Sequence, residues 1–313
     1  MERILGLHHV TATVNDAQQD LDFYSGLLGL RLVKKTVNFD NHHVFHFYYG
    51  DASGTPGTLM TTFPYKGKGV PVGRKGAGQI TATGFSVPAD SLAGWRKRLA
   101  EDGRSVTDEG RRFGEEFLTL EDPSGLSVEL IATGLDEREP FVAADLDPSL
   151  AIRGVHSVTL TIGIPEPSFA LLVDLLGYSI VGEEENRTRL AVQGGGPGRS
   201  IDILAAPEAP VAINGLGTVH HVAMAVASAE EQLAYRAALL RHGVPVTEVL
   251  DRQYFQSIYF REPGGVLYEI ATLPPGFLVD EELGALGREL KLPPWEEPHR
   301  RLIEAGLPAV SQR

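Results

Sequence analysis

The sequence predicts an α+β protein made of four βαβββ modules, which form two domains with curled, barrel-like sheets. Three observations support this prediction: a recurring opening strand, a helix after each copy that ends at glycine, and recurring closing strands. In every opening segment, apolar residues alternate with small or polar ones, which is the period-2 pattern of a half-buried strand. The segments are GLHHVTATV (6–14), ITATGFSVP (80–88), GVHSVTLTI (154–162) and TVHHVAMAV (218–226).

A segment with helical spacing of apolar residues follows each opening strand and ends at a glycine. Asp16 is placed to cap the first helix, which ends at Gly29. The other three helices end at Gly103, Gly177 and Gly243. Glycine favours this place because it readily adopts the left-handed conformation that closes a helix.

The closing strands recur most clearly in modules two and four. EDPSGLSVELIAT (121–133) parallels REPGGVLYEIATL (261–273), whereas modules one and three close more loosely with GTPGTLMTTF (54–63) and GRSIDILAAP (198–207). The alternative of four unrelated α+β segments explains neither this match nor the repeated glycines. Segments rich in Gly, Pro or acidic residues join the modules near 64–78, 133–150 and 207–216.

The order of the modules predicts two domains. Residues 1–140 form an N-terminal pair of modules, and residues 141–313 form a C-terminal pair with a tail. The tail, 274–313, lies outside the repeat, and we expect it to pack on the last domain.

Composition excludes several classes of function. The 313-residue chain has a formal net charge of -13 and no cysteine. An acidic surface repels phosphate backbones, so we expect no nucleic-acid partner. The absence of cysteine excludes disulfides and thiolate sites and fits a reducing compartment. We find neither a signal peptide nor a run of about 18 apolar residues, so we predict a cytoplasmic protein with no membrane partner. Assembly into a homo-oligomer is left open.

Two places in such a module direct a polar side chain into the cavity of a curled sheet: early in the first strand and late in the last. The early place in module two is near Ala82, which cannot bind a metal, and the last strands of modules one and three offer no certain carboxylate at Met60 or Asp202. The candidate ligands are His8, His9, Glu129, His156, His220, His221 and Glu269.

The paired histidines at the same point of modules one and four carry the metal prediction. Neighbouring strand residues face opposite sides, so we expect only one histidine of each pair to face the metal. Periodicity does not decide which one, and we favour His9 and His221, each followed by Val. Two imidazoles and the Glu269 carboxylate are the facial triad of non-haem Fe(II) oxygenases, with Mn(II) as the alternative ion.

The sequence predicts structural rather than functional roles for the other polar residues and for the glycine-rich segment. Glu129 repeats Glu269, but its own module supplies no histidine, so we expect it in a salt bridge. The glycine-rich GKGVPVGRKGAG (67–78) lacks the Lys-Ser or Lys-Thr end and the helix of a phosphate loop, and we interpret it as a joint. Strand and turn roles are expected for His42, His43 and His46.

Several long motifs resemble those of the glyoxalase/bleomycin-resistance/dioxygenase superfamily. They are GLHHVTATV, YYGDASGTPGTLMTTFP and DRQYFQSIYFREPGGVLYEIATLPPGF, together with the four-module layout. Within the superfamily, the chain is similar to the hydroquinone-type ring-cleaving dioxygenases. The resemblance extends from Ile4 to about Leu286.

The resemblance implies an Fe(II) enzyme that uses O2 to open a para-dihydroxybenzene ring, with modules one and four sharing the metal cavity. It implies His9, His221 and Glu269 as ligands. A hydroquinone would bind the metal through one oxygen, and O2 would take a neighbouring open position. The residues implied around the ligands are His8, Thr11, His220, Arg252 and Tyr259.

The implied roles follow the chemistry of these side chains. His8 or His220 would accept the phenol proton, Arg252 would stabilise the developing anion, and Tyr259 would donate to the bound oxygen species. The alternative for Arg252 is a surface ion pair with Asp251 or Glu248, and for Tyr259 it is a packed strand aromatic.

Three alternatives stay open at this point. A glyoxalase-type isomerase or lyase would normally need a metal with four protein ligands, and a protein that sequesters an aromatic compound would need no triad. In a third arrangement modules three and four share the cavity, and His156 replaces His9. His156 is followed by Ser157, whereas the pairs at 8–9 and 220–221 match each other, so we favour modules one and four.

Overall fold

The computed structural model describes residues 3–312 and confirms the α+β fold of four modules. The modules form two curled sheets of eight strands each. The strands of modules one and two are β1 (Gly6–Val14), β2 (Arg31–Asn38), β3 (Asn41–Gly50), β4 (Leu59–Pro64), β5 (Gln79–Pro88), β6 (Asp108–Arg112), β7 (Glu115–Glu121) and β8 (Ser127–Thr133). Those of modules three and four are β9 (Gly154–Ile162), β10 (Ser179–Glu184), β11 (Arg187–Ala191), β12 (Ser200–Ala205), β13 (Thr218–Val226), β14 (Leu250–Asp251), β15 (Gln256–Arg261) and β16 (Leu267–Thr272).

One helix follows each opening strand, and a last helix lies in the tail. The α-helices are α1 (Ala17–Leu21), α2 (Leu92–Glu101), α3 (Glu166–Ala170), α4 (Ala229–Arg241) and α5 (Arg300–Gly306). A π-helical turn extends α1 over Asp22–Leu27 and α3 over Leu171–Leu175. Short 3-10 turns occupy Pro148–Leu150, Phe277–Val279, Leu283–Ala285 and Glu297–His299. Within residues 3–312, no helix is long and apolar enough to cross a membrane.

The predicted helix ends are confirmed. The Asp16 carboxylate accepts hydrogen bonds from the backbone N–H groups of Gln18 and Gln19, at 2.9 and 3.0 Å. The four glycines predicted to end the helices all have φ between 72° and 76°. Each module therefore turns from its helix back toward the sheet at the residue that the sequence indicates.

The sheets combine modules that are not neighbours in the sequence. The first sheet has the order β14-β15-β16-β13-β1-β4-β3-β2 and joins modules one and four. The second has the order β10-β11-β12-β9-β5-β8-β7-β6 and joins modules two and three. The grouping of modules into 1–140 and 141–313 is therefore wrong for the sheets, because β1 pairs with β13 and β5 pairs with β9. Modules one and four share a sheet, as the family resemblance implies.

The sequence predicts that the C-terminal tail packs on the last module. In the structure the tail extends further and also contacts module one. Lys34 in β2 is fully buried, and its Nζ lies 2.5 Å from carboxylate oxygens of both Asp280 and Glu281. Phe39, after β2, packs edge-on against Trp295. A buried ammonium needs such partners because burial without them is very unfavourable. The tail thus holds the edge of the sheet that forms the cavity wall.

Candidate metal centre

The two His–His pairs lie in the central strands of the first sheet, and each contains a β-bulge. The antiparallel register of β1 and β13 skips one residue at His8 and one at His220. A bulge adds an unpaired residue and breaks the strict alternation of sides. His220 and His221 therefore both line the cavity. Of this pair, only His221 belongs to the group that could hold a metal, while His220 lines the cavity beside it.

The structure brings His9, His221 and Glu269 together. Nε2 of His9 lies 3.3 Å from Nε2 of His221 and 3.3 Å from Oε2 of Glu269, and Nε2 of His221 lies 2.9 Å from the same Oε2. The strand register produces this cluster, because His9 lies opposite Ala223, and Ala223 is paired with Glu269 on its other side. Ala223 thus lies between His9 and Glu269 in the sheet, two residues after His221 in β13.

These spacings fit a metal ion. Three ligand atoms at right angles around an ion about 2.1 Å away would be roughly 3.0 Å from one another. The observed separations of 2.9 and 3.3 Å match that arrangement. Glu269 Oε2 is fully buried and has no hydrogen-bond partner apart from these ion-pair contacts. The three side chains are the one group of His and carboxylate residues able to hold an ion among residues 3–312.

The Glu269 carboxyl is held in its ionised form. Burial alone would raise its pKa, but the adjacent His9 and His221 imidazoles outweigh burial and keep the pKa well below its usual range. The Ser257 hydroxyl donates to the other carboxylate oxygen, Oε1. A fully buried carboxylate with one oxygen fixed and the other turned toward two imidazoles is preorganised to bind a cation.

The bulged histidines contact the rings of the two candidate ligands. Nδ1 of His8 lies 2.9 Å from Nδ1 of His9, and Nδ1 of His220 lies 2.8 Å from Nδ1 of His221. If Nε2 of His9 or His221 binds a metal, its Nδ1 carries the proton and donates it to the bulged neighbour, which fixes the ring's orientation. Burial, followed by the nearby imidazole, lowers the pKa of His8 and of His220 to about 3, so both are neutral acceptors near pH 7.

A cavity of about 450 Å³ opens beside the three candidate ligands. Aromatic rings of Phe39, Tyr48, Phe63 and Phe255 form much of its wall, and His220 lines it. Its size and lining are typical of a site for a small organic molecule. His8 is not among the lining residues and packs behind the cluster against Phe255, with ring centres 4.9 Å apart.

Thr11 lies opposite His221 in the strand register and begins a polar chain on the module-one side. Its Oγ1 lies 2.7 Å from Oγ1 of Thr61, which lies 2.9 Å from Nε2 of His46. Thr61 pairs with Thr11 as Glu269 pairs with Ala223, so Thr61 occupies the module-one position equivalent to Glu269. Because threonine replaces a carboxylate there, the cluster offers three candidate ligands rather than the four of the glyoxalase-type alternative.

Arg252 and Tyr259 form one hydrogen-bonded unit on the cavity wall. Nε of Arg252 donates to the Tyr259 hydroxyl at 3.2 Å, and the Tyr259 ring centre lies 5.6 Å from that of His221. The other guanidinium nitrogens contact both carboxylate oxygens of Asp40, at 3.1 and 3.3 Å. The alternative pairing of Arg252 with Asp251 or Glu248 is wrong, and the sequence gives no local signal for Asp40, which comes from module one.

The remaining sequence candidates lie in the second sheet. Glu129 pairs with Arg112 at 2.7 Å, in agreement with the predicted salt bridge. His156 directs Nε2 to a Glu115 carboxylate oxygen at 3.1 Å, and its Nδ1 lies 3.0 Å from the Ser157 hydroxyl. This placement contradicts the alternative in which His156 replaces His9.

Comparison with known proteins assigns the chain to a family. It matches the Glyoxalase/Bleomycin resistance protein/Dioxygenase superfamily over residues 6–130 and 154–270. It is 43% identical to "Putative ring-cleaving dioxygenase MhqE" of Bacillus subtilis over 97% of this chain and 99% of that protein. It is 37% identical to "Chlorohydroquinone/hydroquinone 1,2-dioxygenase" of Sphingobium indicum over 94% of this chain and 92% of that protein. The chain therefore belongs to this superfamily.

Solved structures agree with the assignment. The chain superposes with a TM-score of 0.95 on a "putative dioxygenase" from Bacillus subtilis that is 40% identical, over 100% of this chain and 99% of the other. Glyoxalase I from Zea mays, at 15% identity and a TM-score of 0.65, covers 91% of this chain and 97% of its own and shares the fold alone.

Proposed function

We propose that this protein is a metal-dependent dioxygenase that opens the ring of a hydroquinone-type substrate. The observation that carries the proposal is the cluster of His9, His221 and Glu269 beside a cavity with aromatic walls. Full-length relatives named as ring-cleaving or hydroquinone dioxygenases support the choice of reaction. Three protein ligands leave positions for two further ligands, as a reaction between an aromatic diol and O2 requires.

Fe(II) is the proposed ion, with Mn(II) as the alternative, because both accept imidazole and carboxylate ligands. When bound, the ion would supply the electron transfer between the ring and O2 and would acidify the bound phenol. His9, His221 and Glu269 would hold it.

Side chains of the protein would accept the phenol proton and stabilise the negative charge that develops on the substrate. His220 lines the cavity and is neutral, so it is better placed than the enclosed His8 to accept the phenol proton. The Tyr259 hydroxyl accepts a hydrogen bond from Arg252 and keeps its own proton, because burial and the nearby Glu269 raise its pKa. Tyr259 would donate to oxygen in the cavity, and Arg252 would stabilise negative charge there. Thr11 would act indirectly, by positioning the Thr61 hydroxyl that contacts His46 on the cavity wall.

The test is anaerobic loading with Fe(II), followed by O2 uptake with a panel of hydroquinones and catechols. We expect one O2 consumed per ring opened, and faster turnover of alkyl- or halogen-substituted hydroquinones than of catechols. Protein loaded with redox-inactive Zn(II) is the control and should consume none. The proposal is wrong if no aromatic diol supports O2 uptake, or if catechol has a higher kcat/KM than every hydroquinone tested. The cytoplasmic location stays a prediction.

A further inference from the structure

His46 is a buried, polar residue of the cavity wall that the proposed chemistry does not use. It lies in β3, is 9% exposed, and lines the cavity. Its ring is held between Tyr48 and Phe63, with centres 4.0 and 4.3 Å away. Nε2 contacts the Thr61 hydroxyl at 2.9 Å, so the orientation of the ring is fixed.

The other ring nitrogen of His46, Nδ1, is available for a hydrogen bond. Among residues 3–312, Nδ1 takes part in no hydrogen bond. It is also absent from the fully enclosed polar atoms without a partner, which leaves it at the cavity surface. Two other polar groups of the wall are already engaged, Arg252 with Asp40 and Tyr259, and Asn38 with Tyr65. A cavity-facing nitrogen that the protein does not satisfy is available to a ligand.

The strand register gives the position of His46 relative to the candidate metal ligands. His9 is level with Leu59 in β4, whereas the His46 ring packs on Phe63, four residues further along that strand. Tyr48, which is level with Thr61, lies between the two levels. One step of two residues along a strand covers about 6.8 Å. Phe63 and Tyr65 also line the cavity.

We propose that Nδ1 of His46 forms the subsite for the second hydroxyl of a para-dihydroxybenzene, an inference that rests on the proposed function. A ring bound to a metal through one oxygen carries its para oxygen at the opposite end. That hydroxyl would enter a region lined by Phe63 and Tyr48, where an unpaired polar group costs about 1–3 kcal/mol. The phenolic O–H both donates and accepts, so it pairs with either tautomer of the imidazole.

The test is an anaerobic calorimetric titration of the metal-loaded protein with hydroquinone and, separately, with phenol, which lacks the second hydroxyl. We expect the wild type to bind hydroquinone about tenfold more tightly than phenol, the ratio that one buried hydrogen bond provides. His46→Phe should remove this preference by weakening hydroquinone binding, while phenol binding and metal content stay the same. His46→Leu, which also lacks the nitrogen but is smaller, should give the same result if the phenylalanine variant does not fold.

His42→Phe is the matched control, because His42 lies on the same strand but pairs with Glu296 outside the cavity. It should retain the wild-type preference. The subsite is refuted if the His46 variants keep the preference for hydroquinone, or if they lose phenol and hydroquinone binding equally. The titration measures binding and does not depend on turnover. Failure of O2 uptake would therefore contradict the proposed function, whereas only the binding preference tests the His46 subsite.

Discussion

The two sheets of this protein share one topology and differ in how they neutralise the acidic side chains at their centres. In the first sheet, two imidazoles and one carboxylate meet at a cavity. In the second, alanine and serine stand at the places of the two candidate histidine ligands, and carboxylates occupy both late-strand places. The equivalent residues are Ala82 for His221, Ser157 for His9, Glu129 for Glu269 and Asp202 for Thr61.

In the second sheet, arginine side chains neutralise the buried carboxylates. Arg189 pairs with Asp202 at 2.7 Å, and Arg112 pairs with Glu129 at 2.7 Å. These guanidinium groups come from the same two modules, so the second sheet balances its charge without an external ion. Buried carboxylates in a curled sheet need a cation nearby, and the difference shows that a protein can supply it from its own chain or bind it from solution.

The largest effect should come from the three candidate ligands. His9→Ala, His221→Ala and Glu269→Gln should each lower kcat by at least about 10³-fold, or about 4 kcal/mol, because each removes a ligand. Elemental analysis should show metal loss, and circular dichroism should show an intact fold. Glu129→Gln is the control in the other sheet and should keep both metal and activity. Full metal content and activity in any ligand variant would remove that residue from the centre.

A stability effect of nearly this size is expected in the second sheet. Arg189→Met removes the guanidinium shared by Asp202 and Glu115 and leaves only Arg187 beside Asp202 and His156 beside Glu115, which should lower the free energy of unfolding by about 3 kcal/mol in urea titrations. Arg236→Met, which breaks an exposed pair with Glu248, should cost less than about 1 kcal/mol. Loss of metal in Arg189→Met without loss of stability would contradict the division of roles between the sheets.

Tyr259 should have a smaller effect on catalysis and none on metal content. Tyr259→Phe removes the hydroxyl that accepts from Arg252, and we expect kcat to fall about 10- to 100-fold while the metal stays bound. Tyr268→Phe is the matched control, since the Tyr268 hydroxyl is buried without a hydrogen-bond partner. A turnover unchanged by Tyr259→Phe would assign this ring to packing alone.

The smallest effect is expected for His156, the histidine that repeats His8 in the second sheet. His156→Ala removes the contacts to Glu115 and Ser157, but Arg189 still neutralises Glu115. We expect a loss of about 1–2 kcal/mol in unfolding free energy and a kcat within about twofold of wild type. Metal loss in this variant would mean that the two sheets are coupled more closely than their separate ion pairs indicate.

The sequence alone predicts the module, its helix ends and the residues that meet in the candidate centre. These features are local or repeated: Asp16 caps its own helix, and the His–His pairs recur at the same point of two modules. The bulges at His8 and His220 carry no comparable signal, because a bulge depends on the register between strands more than 200 residues apart. The resulting entry of both His220 and His221 into the cavity was therefore not predictable from alternation.

Only the tertiary structure decides which modules share a sheet. Each opening strand has the same alternating pattern, so this pattern is equally compatible with pairing of neighbours and with the observed pairing of β1 with β13, and only the matching His–His pairs favour the latter. That choice brings together Thr61, at the module-one position equivalent to Glu269, and the cluster of module four, and it lets Asp40 of module one reach Arg252 of module four. Local periodicity specifies which face of a strand is buried, but the identity of the partner strand depends on long-range packing and charge pairing.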